Sequence, residues 1–205
     1  MSTPVRFWLD PICPWCWVTS LWIREVAVER DLEVQWEPIS LLLKNQPAQD
    51  SQFYSPLKWS YGLLQVLESI RASGSNSAVS DLYLEYGRRI HQNGELEWPV
   101  IEALGAIGMD PSHADAFDNP AWDAEVHRRH DEGLALVGNE VGTPIISVLA
   151  EDGHEVAIFG PVITKVPNID HGLALWDSVV FLARLSEFHE LKRTRTTGPE
   201  VRTRS

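Results

Sequence analysis

Apolar residues from Val5 to Leu9 form a short run that stops at Asp10-Pro11, the pattern of a strand followed by a turn. Pro14 then suits the first position of a helix, where its missing N–H costs nothing. Val18, Leu21, Trp22 and Val26 recur on one face and predict a helix to about Arg30. Leu32 to Trp36, reaching as far as Ile39, reads as a second strand. Residues 5–40 therefore form a β-α-β unit whose strands are most simply parallel. From Ser51 to Val137 the period changes to that of helices. Val79, Leu82, Tyr83, Tyr86 and Ile90 keep helical spacing, and Asp110-Pro111 and Asn119-Pro120 each pair an N-cap with a first-turn proline. Ser73-Gly74-Ser75-Asn76-Ser77 breaks two helices apart. Strand patterns return at Pro144 to Leu149 and Val156 to Phe159, flanking a hairpin turn at Glu151-Asp152-Gly153-His154. A last helix is predicted over Gly172 to Glu190. The tail beyond it holds Lys192, Arg193, Arg195, Arg202 and Arg204 beside Gly198-Pro199, and its final residues read as a solvated, partly disordered end.

The order β-α-β, helical block, β-β-α is that of an α/β thioredoxin-like fold with a helical domain inserted between its halves. On this reading residues 1–50 and 138–205 form the thioredoxin-like domain and residues 51–137 the inserted one. A chain of 205 residues with 44% hydrophobic and 22% charged residues has room for that core. A net charge of −12 repels phosphate backbones, so neither nucleic acid nor an anionic membrane is expected as a partner. No run of eighteen apolar residues exists, and Met1 to Asp10 lacks the pattern of a signal peptide, so a cytoplasmic protein is expected.

Cys13 and Cys16, in Cys13-Pro14-Trp15-Cys16, are the two cysteines of the chain. A bridge between them closes almost no loop, so in a reducing compartment the pair is catalytic or metal-binding and not a structural staple. Zinc is the competing reading, but no second C-x-x-C and no H-x3–5-H pair accompanies it; His127 and His130 stand one residue too close. We expect no metal. At a helix N-terminus Cys13 faces unsatisfied N–H groups and the positive end of the helix dipole, which favour its thiolate. Cys16, one turn on, is the natural resolving thiol. Pro14 fixes the start of the helix, and Trp15 points outward to cover the sulfur or to wall a substrate site. Val141-Gly142-Thr143-Pro144 precedes the third strand. A proline at a strand entrance is accounted for by a cis bond in a loop facing the Cys pair, where the Thr143 backbone would meet a substrate or thiol.

These features resemble the DsbA-like branch of thioredoxin-fold proteins, and within it the mycothiol-dependent nitroreductases. The matching segments are Phe7-Trp8-Leu9-Asp10-Pro11-Ile12-Cys13-Pro14-Trp15-Cys16-Trp17, Arg89-Ile90-His91, Val141-Gly142-Thr143-Pro144, Phe159-Gly160-Pro161 and Glu190-Leu191-Lys192-Arg193-Thr194-Arg195-Thr196. The resemblance implies a Cys13/Cys16 dithiol as electron donor and mycothiol as thiol cosubstrate through a mixed disulfide on Cys13. It also implies nitroaromatic or disulfide substrates and a mycoredoxin-type reductase as a partner. No flavin site is suggested, and no G-x-G-x-x-G follows a strand, so no tightly bound cofactor is expected. His91, at the end of an amphipathic helix that favours its charged form, is a pocket candidate. Asn45 and Tyr54, at the start of the insertion, are two more. The family match of the tail suggests that its basic groups close back onto the acidic body. A general DsbA-like protein disulfide oxidoreductase or isomerase, a kappa-like glutathione transferase or isomerase, and a redox-switched binding module stay open as alternatives. The intact C-x-x-C argues against the kappa-like reading, whose members typically use Ser.

Overall fold

The computed structural model describes residues 2–201. The expected unit opens the chain as β1 (Thr3–Leu9), α1 (Pro14–Arg30) and β2 (Leu32–Pro38). Between β2 and the next strand come α2 (Leu41–Asn45), α3 (Tyr54–Ala72), α4 (Asn76–Gly87), α5 (Val100–Ala106) and α6 (Asp123–Val137). A π-helical turn, Arg88–Asn93, extends α4, and two 3-10 turns, Pro111–Ala116 and Pro120–Trp122, precede α6. Then β3 (Ile145–Leu149), β4 (Glu155–Phe159) and α7 (Ile169–Arg184) follow. The strand order is β2-β1-β3-β4, with β1 parallel to β2 and antiparallel to β3, and β3 antiparallel to β4.

Successive side chains of a strand point to opposite faces, and β1 is divided accordingly between two cores. Val5, Phe7 and Leu9 face a core that holds Trp22, Ile23 and Val26 of α1 and Trp176 of α7. The Trp22 indole N–H donates to the Gly172 carbonyl at 3.0 Å, which fixes α7 across α1. Trp8 faces the other way, against Ile145 and against Leu134 and Val137 of α6, and its indole N–H donates to the Arg129 carbonyl at 2.9 Å. Fully burying such side chains contributes about 2–3 kcal/mol each, so both faces of the sheet are well covered. The Val79, Leu82, Tyr83, Tyr86 and Ile90 stripe is buried throughout, as its spacing predicts.

A buried ionic cluster ties α3 and α6 to the sheet. Glu37 of β2, 3% exposed, lies 2.6 Å from Arg129 of α6 and 3.3 Å from Arg6 of β1. Glu68 of α3 pairs with Arg71 and Arg129, each at 2.8 Å. Such pairing offsets the cost of burying these charges.

Three expectations change. The chain forms α2 where no helix was expected, because the Ser40 side chain caps it by accepting from Leu43 N–H. The last helix starts at Ile169, since Asn168 accepts from His171 N–H at 2.9 Å, and ends at Arg184 rather than Glu190, with Leu185 extended. The described part of the tail is exposed from His189 to Gly198 and is tied down beyond that. Glu200 N–H donates to the Thr164 carbonyl at 2.6 Å, and the Val201 carbonyl accepts from the Trp17 indole at 2.9 Å. Arg202 and Arg204 lie outside the described residues.

Candidate active site

The site forms where β1 ends and α1 begins. Cys13 is the N-cap of α1, with φ −74° and ψ 111°, and Pro14 stands in the first turn. Its backbone N–H donates to the Asp10 carbonyl at 3.0 Å, which folds the Asp10–Cys13 loop back on itself. Its sulfur accepts from the Cys16 backbone N–H at 3.4 Å and from the Thr143 hydroxyl at 3.1 Å. Thr143 precedes Pro144 across a cis peptide bond, as expected from the sequence; Gly160-Pro161 is a second cis bond, one the sequence did not suggest.

Both thiols are free and buried, Cys13 at 4% exposure and Cys16 at 0%. Their environments push them apart. The Cys16 thiol, the Thr143 hydroxyl and the Cys16 N–H hold the Cys13 thiol below its ordinary range, against burial and the repulsion of Asp10. Burial and the neighbouring Cys13 sulfur push Cys16 well above it. A sulfur drawn toward the thiolate beside one held toward the protonated thiol, at i, i+3 spacing, is the pairing that a nucleophile and a resolving thiol require. Among the described residues no group of three or more His, Cys, Asp or Glu is arranged to hold a metal ion.

A residue unnoticed in the sequence organises this loop. Asp10 is fully buried; it accepts from Ile12 N–H at 3.1 Å, from Leu41 N–H at 2.7 Å and from the Ser60 hydroxyl. It thereby joins the Cys loop to α2 and α3. Burial raises its carboxyl from 3.8 to about 6, against those three donors. Asp10-Pro11 reads locally as a turn, and nothing in the sequence around Ser60 marks it as a partner.

Trp15 is half-buried, and the Arg195 guanidinium lies 5.2 Å from its ring centre, so the tail returns to a residue between the two cysteines. The tail thus closes back as expected, but Arg195 meets an aromatic face instead of an acidic group. His91 lies in the π-helical turn, a rarity that often marks functional positions. Its Nε2 is 2.8 Å from the Pro11 carbonyl, and its ring stacks on Trp17 at 5.8 Å. The expected charged imidazole is overturned. Burial lowers the His91 pKa to about 4, outweighing the carbonyl bond, so the neutral ring donates to Pro11. His91 therefore props the Cys loop from behind.

Asn45 and Tyr54 are not brought to the thiols by any hydrogen bond. Asn45 ends α2, exposed. Tyr54 lines a shallow cleft of about 230 Å³ with Lys58, Trp59 and Phe117.

The family described as Rv2466c-like, mycothiol-dependent nitroreductase, matches residues 12–193. A relative from Mycobacterium tuberculosis (strain ATCC 25618 / H37Rv), the uncharacterized protein Rv2286c, is 29% identical over 200 residues, covering 95% of this chain and 83% of that one. Among solved structures, a probable DsbA oxidoreductase from Streptomyces coelicolor superposes with a TM-score of 0.59 at 15% identity, covering 95% of this chain and 94% of that one. The cytosolic disulfide reductase DsbM from Pseudomonas aeruginosa with GSH does so at 0.58 and 16% identity, covering 87% and 100%. Those structures establish the DsbA-like thioredoxin fold, and the family match runs from the Cys loop through the third strand into the basic tail. The chain belongs to the Rv2466c-like mycothiol-dependent nitroreductase family.

Proposed function

We propose that Cys13 and Cys16 are the catalytic dithiol, and that this chain takes electrons from mycothiol and passes them to nitroaromatic or disulfide substrates. The observation that carries the reading is the Cys13 sulfur at the α1 N-cap, with donors from Cys16 and Thr143 around it. In the reductive half, a mycothiol thiolate attacks the Cys13–Cys16 disulfide at Cys13, releasing Cys16 as a thiol once protonated. A second mycothiol attacks the mixed disulfide, releasing the Cys13 thiolate and mycothiol disulfide. A mycoredoxin-type reductase is the alternative acceptor of that mixed disulfide. In the oxidative half, the dithiol closes to the disulfide and gives two electrons and two protons. A nitro group taking them becomes a nitroso group and water.

Pro14, Trp15, Thr143 and Pro144 are proposed to bind substrate or thiol because they flank the Cys13 sulfur in sequence or in space. His91 is proposed to act through the loop it supports. Asn45, just before the 51–137 insertion, and Tyr54, near its start, are proposed from their chain position, the insertion itself being a proposed unit beside a thioredoxin-like part of 1–50 and 138–205. No helix among the described residues is long and apolar enough to cross a membrane. We place the reaction in the cytoplasm, where a low-molecular-weight thiol supplies the reducing equivalents.

The test is a trapping experiment. The oxidised protein is incubated with mycothiol and, separately, with glutathione. Cys16→Ser, given mycothiol disulfide or glutathione disulfide so that its Cys13 thiolate displaces one thiol, captures the adduct for intact mass, and nitroaromatic reduction by the intact dithiol is then assayed. A mycothiol adduct with thiol-dependent nitro reduction that vanishes in Cys13→Ser supports the reading. Absence of any small-thiol adduct, with reshuffling of disulfides in a folded client, would replace it by a protein disulfide oxidoreductase.

A further inference from the structure

The chain carries a net charge of −12, yet its tail holds a run of cations, Lys192, Arg193 and Arg195, the last of them over Trp15 between the two cysteines. Among the described residues none of the three has a carboxylate partner within 4.0 Å; Arg24 and Arg184 also lack one but bond Ser80 and the Leu149 carbonyl, and Arg6, Arg30, Arg71, Arg88, Arg89, Arg128 and Arg129 are paired. The tail forms a strap fastened to the body downstream of Arg195. Upstream, it leaves α7 through a turn in which Phe188 N–H donates to the Leu185 carbonyl at 3.0 Å. Downstream, Glu200 is bonded to Thr164 and Val201 to Trp17. Between the end of α7 and those bonds the Arg195 guanidinium rests over Trp15, two residues from Cys13. Stacking fixes the group in place without neutralising its charge, and leaves its N–H fork exposed to a ligand.

We infer that Arg195, carried on the C-terminal strap and stacked on Trp15, is a specificity residue that binds the anionic group of a substrate approaching Cys13. The class it selects is a small oxidised compound bearing a carboxylate or a comparably charge-bearing polar group beside an aromatic or aliphatic body. An overall acidic surface repels such a compound; one unpaired cation over Trp15 reverses that locally. The inference rests on the thiol–disulfide reading above, and a neutral probe keeps the two separable.

Two aromatic disulfides supply the test: dianionic 5,5′-dithiobis(2-nitrobenzoate) and neutral 4,4′-dithiodipyridine. With either, the Cys13 thiolate breaks the probe's S–S bond, forming a mixed disulfide and releasing one aromatic thiolate. Cys16 then displaces the second as the Cys13–Cys16 bond forms, so one probe is reduced by two electrons and the protons pass to solvent. Stopped-flow rates give the ratio of the anionic to the neutral second-order constant at pH 7. The ratio is expected to fall about fivefold in Arg195→Ala, further in Arg195→Glu, and to be largely retained in Arg195→Lys. The excess of the native ratio over that of Arg195→Ala is expected to shrink with added salt. A ratio unchanged in Arg195→Ala, or both rates moving together because the strap merely covers the sulfur, would overturn the inference. Failure of the neutral probe to release two thiolates per chain would instead count against the dithiol reading.

Discussion

The Thr143 hydroxyl lies 3.1 Å from the Cys13 sulfur, joining the entrance of β3 to the N-cap of α1, 130 residues apart in the chain. It is a hydrogen bond to a group that carries charge when the sulfur is ionised, and such bonds are worth about 1.5–3 kcal/mol. Thr143→Val keeps the shape and removes the donor. The Cys13 pKa is expected to rise by about one unit or more, given 1.36 kcal/mol per unit. Thiolate absorbance against pH, or the pH dependence of alkylation, reads this directly. Thr143→Ser is expected to stay close to the native value. An unshifted titration in Thr143→Val would mean that the hydroxyl donates elsewhere.

Asp10 makes stability depend on pH in a defined direction. Its carboxyl titrates near 3.8 in the unfolded chain and at about 6 in the folded one. Between those values the folded state binds the extra proton. Its favourable contribution is complete below about pH 4 and is lost as pH rises through 6. The shift corresponds to about 3 kcal/mol across the window. Asp10→Asn removes the titration whatever constant cost its altered hydrogen bonds add. The stability difference between native and Asp10→Asn chains, from urea unfolding at pH 4 and pH 7, is expected to move by about that amount, in favour of the variant at pH 7. A difference independent of pH would show that Asp10 is already ionised in the folded state at pH 4.

What was legible in the sequence was local. Val5–Leu9, Pro14 and the Cys13/Cys16 spacing specify a strand, a helix start and a thiol pair without reference to distant residues, and β1, α1 and the N-cap geometry follow them. The Val79–Ile90 stripe is also local, since helical periodicity alone marks its buried face. The site's long-range partners were not legible. Ser60 reaches Asp10 across 50 residues, and Val201 reaches Trp17 across 184. A serine on a helix and a backbone carbonyl in a basic tail carry no pattern that announces such contacts. His91 was misread because proximity to a helix end argues for charge, whereas its burial, a tertiary property, decides for the neutral ring. Asn45 and Tyr54 were proposed from chain position, and no hydrogen bond joins either to the thiols.

Glu37 is the carboxylate on which three arginines converge. Arg6, Arg71 and Arg129 approach it from β1, α3 and α6. Glu37→Ala leaves these partly buried guanidinium groups short of a partner. Removing one member of a buried ion cluster typically costs 3–5 kcal/mol, and the partial exposure of the arginines places this case near about 3 kcal/mol. Denaturant unfolding measures the loss. Hydrogen exchange should show it first in α3 and α6, the helices the cluster fastens to the sheet. Uniform deprotection would mean that the cluster is not what holds them.

Gly87 ends α4 against the indole of Trp17, and a Cβ there would fall inside the van der Waals surface of the indole ring. The indole has little freedom to yield. It is 1% exposed, stacks on His91 and is tied through its N–H to Val201. Gly87→Ala is therefore expected to destabilise by about 1–3 kcal/mol, as overpacking does, despite alanine's better helix propensity. Because Trp17 also supports His91 and the tail, the variant should shift tryptophan fluorescence and loosen the strap together. Gly105, in α5, is the control. Nothing lies within 4 Å of an added Cβ there, so Gly105→Ala is expected to stabilise by about 0.5–1 kcal/mol. Thermal unfolding of the two variants side by side separates packing from propensity. Equal gains from both would show that the Trp17 ring is free to move.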